Sequence, residues 1–161
     1  MRLLLSASLL LIASRCSLAQ LGATQQECAT RYGTPVREAL AESALLYFEK
    51  EKMDYIAHFH QGHCDVLSIF SANSMMGLPE DIGFEKAVQM LDSEGGGCAW
   101  KRVGRFTING VWNSSDGKSF AIYDTMRHKL VIMTRDAYKR EKEAVALSRS
   151  EVKATEVQKQ P

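Results

Sequence analysis

Asp54 to Ser71 reads DYIAHFHQGHCDVLSIFS, two runs of mixed apolar and polar residues on either side of the dipeptide Gln61-Gly62. Alternation with a period of two marks a strand with one wet and one dry face, and a short break holding a glycine marks a hairpin. Two registers compete at this turn. If Gln61-Gly62 is a two-residue turn, His60 faces His63 and His58 faces Asp65. Tyr55, Ala57, Phe59, Cys64, Val66 and Phe70 then share the opposite face as a core. In a longer turn with Gly62 alone left-handed, Phe59 faces His63, His58 faces Cys64, and the histidines divide between the faces. The first register keeps the apolar residues together and is preferred.

Working outward, Ala44 to Glu49 is a third extended run, set off by the charged Lys50-Glu51-Lys52, which makes the region an antiparallel meander. Before it, Thr24-Gln25-Gln26-Glu27 is a capping box, and Gly33 with Pro35 stops the helix it starts, over about residues 25 to 32. After it, Pro79 stands at a first helical position with Glu80 and Asp81 behind it, predicting a helix to about Ser93. Phe84, Val88 and Leu91 lie on its buried face. Gly95-Gly96-Gly97 ends that helix. Strands are expected at Trp100 to Phe106, Gly110 to Trp112, Ser119 to Asp124 and Lys129 to Thr134, with Asp116-Gly117 as a turn. A charged helix from Arg135 to Leu147 closes a single domain over residues 20 to 148, and residues 149 to 161 read as a disordered tail. The expected class is α+β: an antiparallel sheet built from two helix-plus-meander halves, about 24–71 and 79–134, with a C-terminal helix.

Met1-Arg2, the apolar run Leu3 to Ile12 and the small residues Ser17 and Ala19 have the layout of a signal peptide cut before Gln20. This predicts export to the periplasm or the exterior. The run is too short to span a bilayer, and Arg15 before Cys16 does not suit lipid attachment, so no stable membrane anchor is expected. Losing Arg2 and Arg15 leaves 18 basic against 19 acidic residues, a net charge of −1. No basic cluster interleaved with aromatics appears, which argues against nucleic acid as a partner.

Glu27-Cys28, Arg31-Tyr32-Gly33-Thr34-Pro35, the hairpin from Phe59 to Cys64, Gly95-Gly96-Gly97-Cys98-Ala99-Trp100, and Asp116-Gly117-Lys118 leading to Ala121-Ile122-Tyr123-Asp124 resemble a group of small exported bacterial proteins without assigned function. The resemblance covers most of the chain beyond the leader and brings no chemistry with it. The order of helix then meander, repeated, is also similar to the fold of the β-lactamase inhibitor protein and the small assembly lipoproteins of the outer membrane. That likeness implies docking on other proteins.

His58, His60, His63 and Asp65 are the candidate metal ligands. In the first register all four project from one face, a nitrogen and oxygen set suited to a divalent ion, while in the second they separate. The competing account of these residues is a polar hairpin tip. Cys28, Cys64 and Cys98 are an odd number of thiols, so one bridge at most forms within a chain. Cys64 is either buried as a thiol or joined to Cys28, with Cys98 left over. A thiol nucleophile is not supported, because His63 and Cys64 are strand neighbours pointing to opposite faces. Gly95 to Gly97 follow a helix instead of preceding one and do not form a phosphate cradle. Trp100, Trp112 and Met75-Met76 read as packing residues, and Asn113-Ser114-Ser115 matches the glycosylation pattern. No catalytic residue and no cofactor is expected. The sequence favours a non-enzymatic module that binds an envelope or extracellular protein, with a divalent-metal-binding protein as the alternative.

Overall fold

The computed structural model describes residues 21–38, 44–72, 80–104 and 110–157; the expected leader, Met75-Met76 and Pro79 lie outside the described residues. The chain runs through α1 (Gln25–Tyr32), β1 (Arg37–Glu38), β2 (Leu45–Lys50), β3 (Met53–His60) and β4 (His63–Ser71). It continues through α2 (Phe84–Glu94), β5 (Trp100–Arg102), β6 (Gly110–Ser114), β7 (Ser119–Asp124), β8 (Lys129–Thr134) and α3 (Arg135–Val157). Among the described residues one eight-stranded antiparallel sheet holds every strand, in the order β1-β2-β3-β4-β8-β7-β6-β5. Each half is a helix followed by a meander, and the last strands of the halves, β4 and β8, pair at the centre. The α+β class with a C-terminal helix is therefore the observed one.

Local chemistry sets the ends of these elements. Thr24 caps α1 as the capping box requires, its hydroxyl accepting from the Glu27 amide at 3.3 Å while its own amide donates to the Glu27 carboxylate at 2.8 Å. Gly33, at φ 99°, returns its amide to the Ala29 carbonyl at 2.9 Å. Helix α2 starts at Phe84, later than the position of Pro79 suggested, because Gly83 at φ 79° donates to Asp81 Oδ1 and turns the chain first. Helix α3 passes Leu147 and continues to Val157 through much of the stretch expected to be disordered. Residues 149–157 contain neither glycine nor proline, so nothing there stops it.

Helices α1 and α2 cover one face of the sheet. Phe48, Tyr55, Ala57, Phe59, Leu67, Ile69, Ala121, Tyr123, Leu130 and Ile132 point into that layer and meet Cys28, Tyr32, Ala87 and Leu91 from the helices. Leu67, Ile69, Leu130 and Ile132 have no exposed surface, and each such side chain is worth roughly 1.5–3 kcal/mol of burial.

Candidate functional site

The turn at Gln61-Gly62 takes the two-residue form. Both residues have positive φ, 51° and 81°, as a type I′ turn needs, and His60 pairs with His63 and Phe59 with Cys64. One residue further on, the register shifts: His58 pairs with Val66, not with Asp65. Asp65 is the extra residue of a β-bulge, and the bulge reverses every later side chain of β4. Leu67 and Ile69 enter the core in the places expected for Val66 and Phe70, which turn to the opposite face.

That opposite face carries the site. Across it run three rows of cross-strand neighbours. The first is Leu45, His58, Val66, Met133 and Phe120; the second is Tyr47, Ile56, Ser68, Val131, Ile122 and Val111; the third is Glu49, Asp54, Phe70, Lys129 and Asp124. The middle row is apolar apart from Ser68, and Tyr47, Ile56, Ile122 and Val111 stay half-buried because no helix lies flat on them. Helix α3 rises from one end of this face. Thr134 accepts from the Ala137 amide at 3.1 Å, the Tyr138 ring meets Phe120 edge-on at 4.8 Å, and Arg135 lies over Phe120 while donating to Asn113 Oδ1 at 2.5 Å. The Asn113 side chain of the glycosylation pattern is thus engaged with Arg135.

Between α3 and the sheet opens a groove of about 1180 Å³. Val66, Ile122, Val131 and Met133 are on its sheet wall, and Tyr138, Glu141, Val145 and Arg149, spaced as one helix face, are on the other. The bulge aims the Asp65 carboxylate at Arg140, and that ion pair ties α3 to the hairpin. His58 and His60 stand at the same lip. Its surroundings disfavour charge on His58: crowding by protein, aided by Lys129, pulls its pKa below the ordinary histidine value, against the pull of Asp65 and Glu141.

His58, His60 and Asp65 therefore share the groove, while His63 sits apart with Nδ1 2.9 Å from the Gly22 carbonyl oxygen. Among the described residues no group of three or more His, Cys, Asp and Glu side chains is placed to hold a metal ion. The bulge explains why, since it removes Asp65 from its place opposite His58 and commits it to Arg140. Cys28 and Cys64 meet in the core beneath α1 as buried thiols, with no disulfide between them in this structure. Sequence reasoning missed the groove because its sheet wall sets Val66 of the first half beside Ile122, Val131 and Met133 of the second, a pairing no local pattern announces; the one local signal was the run Val131 to Met133, apolar on both faces of a strand.

No family model matches the chain, and no curated protein matches it. Among solved structures it is similar to a DUF4309 family protein of Bacillus subtilis, at 12% identity and a TM-score of 0.38, covering 70% of this chain and 79% of that one. It is also similar to a cysteine-rich secretory protein of Staphylococcus aureus, at 9% identity and a TM-score of 0.39, covering 73% of this chain and 46% of that one. Likenesses this distant carry no argument about activity. No helix among the described residues is long and apolar enough to cross a membrane.

Proposed function

We propose that this is an exported, non-enzymatic module that binds a segment of another protein in the groove between α3 and the sheet. The observation that supports it is the row through Tyr47, Ile56 and Ile122, which stay half-buried on either side of the buried Ser68 and Val131, a largely apolar strip on a sheet face beside a helix that does not cover it. A partner's apolar side chains would bury that strip, and the charges along the lip, Arg140, Glu141 and Lys129, would set orientation more than affinity. The leader-like run at residues 3–12 supports export.

A photo-crosslinking residue at Ile56 or Ile122 tests the reading in the native host. The expected result is one discrete adduct from either position, abolished by Val131→Asp and absent when the crosslinker replaces Gln26, exposed on the outer side of α1. Equal labelling from Gln26, or no adduct from the groove, overturns it. Export is checked separately by sequencing the N-terminus of the native protein: Gln20 first is expected, and a retained Met1 counts against it.

A further inference from the structure

The segment before α1 pairs with the hairpin. The Gly22 amide donates to the Cys64 carbonyl at 2.6 Å, the Cys64 amide donates to the Ala23 carbonyl at 2.8 Å, and Thr24 bridges to His63. This pairing uses the edge of β4 left open where β8 stops at Val66. Helix α1 begins at the next residue, and its first turn brings Cys28 onto Cys64. Neither side chain has exposed surface, and the two sulfurs are within hydrogen-bonding reach of each other. Cys98 lies elsewhere, half-buried in the connection from α2 to β5.

Two cysteines whose side chains already meet satisfy the first geometric demand of a disulfide. We propose that Cys28 and Cys64 form a sheltered disulfide stapling α1 to the β3–β4 hairpin, made as the chain folds and closed to reductants afterwards. The chemistry is exchange with a small or protein disulfide. One cysteine thiolate attacks the oxidant's disulfide and expels the first of its thiols; the second attacks the mixed disulfide, forms the Cys28–Cys64 bond and expels the other. The cysteines lose two electrons and two protons, and the oxidant is reduced to two thiols.

Burial fixes the order of events. The contact with Cys28 and loss of solvent push the Cys64 thiol up, so thiolate is scarce once α1 has docked. The exchange therefore belongs to the folding chain, and the same apolar shell later keeps reductants out. The closed loop contains β1, β2 and β3, so the bond removes much freedom from the unfolded chain.

The test uses the purified full-length chain, reduced, denatured and refolded with oxidised glutathione, then alkylated under denaturing conditions and digested. A peptide pair joining Cys28 to Cys64 is expected. The bond should resist dithiothreitol in the folded protein, yield to it in urea, and raise the melting temperature by on the order of 5–10 °C over the reduced form. Recovery of both cysteines alkylated, or of either joined to Cys16 or Cys98, overturns the pairing. Ready reduction without denaturant overturns the shelter. Peptide mapping needs no variant to fold, and Cys98→Ser should leave every readout unchanged. Neither export nor groove binding enters this experiment, so its failure is distinguishable from theirs.

Discussion

Glu94 ends α2 with only 8% of its surface exposed, yet it is a carboxylate. Tyr32 donates its hydroxyl to Glu94 at 2.7 Å and Arg31 pairs with it at 3.1 Å, while Arg31 also donates to the Ser93 carbonyl. The charge is tolerable because both partners sit on α1. Tyr32→Phe removes one bond and leaves the other, and should lower stability by about 1–2 kcal/mol. Glu94→Leu leaves a buried hydroxyl without its acceptor and a half-buried guanidinium with the Ser93 carbonyl as its remaining partner, for a loss of about 3 kcal/mol. Urea unfolding at constant m-value reads both; equal losses would mean that Arg31 contributes nothing. At the groove's lip, His58 has a depressed pKa, so between that value and about 6.5 the unfolded chain binds the more protons. Stability is then full above about pH 6.5 and falls as pH drops through the window. His58→Gln should flatten that part of the pH profile, and an unchanged slope would show the histidine to be freely solvated.

At the scale of elements, the two tight turns of the first half differ in kind. Gln61-Gly62 places a glycine at φ 81°, whereas the β2–β3 turn puts Glu51 at φ 53° and Lys52 at φ 62°, left-handed positions that side chains adopt at a penalty. Lys52→Gly should therefore stabilise the protein by about 0.5–1 kcal/mol despite the added freedom of the unfolded chain. Thermal unfolding measures it, and a destabilised variant would show that the turn is not strained. The same contrast explains what was legible. Helix α1 could be placed from Thr24, Glu27 and Gly33 because its caps are local, and Gly62 marks the hairpin while the apolar face from Tyr55 to Cys64 selects its two-residue turn. The bulge at Asp65 had no such mark: it exists because Leu67 and Ile69 fill the core better than Val66 and Phe70, and because Arg140, 75 residues away, receives the displaced carboxylate. The end of α3 lies beyond the polar composition's suggestion for the opposite reason: a charged stretch without a core face still continues a helix when every residue in it tolerates one.

At the scale of the whole molecule, the halves meet through the β4–β8 pairing from Val66–Met133 to Phe70–Lys129 and through the contacts of Tyr32 and Arg31 on α1 with Glu94 on α2. The groove spans the same seam, with Val66 from one half and Val131 and Ile122 from the other, so a partner bound there would hold both halves at once. Such a seam should make unfolding cooperative. Both tryptophans, Trp100 and Trp112, belong to the second half, which makes their fluorescence a local probe of it. Leu67→Ala empties a fully buried site in the first half, on the seam beside Ile132, and should destabilise by about 2–5 kcal/mol. If β4 and β8 couple the halves, the tryptophan transition shifts by as much as the far-ultraviolet circular dichroism transition does, and the two midpoints coincide. If the tryptophan signal stays where it was while the circular dichroism moves, the second half folds without the first, and the groove is the junction of two separate units.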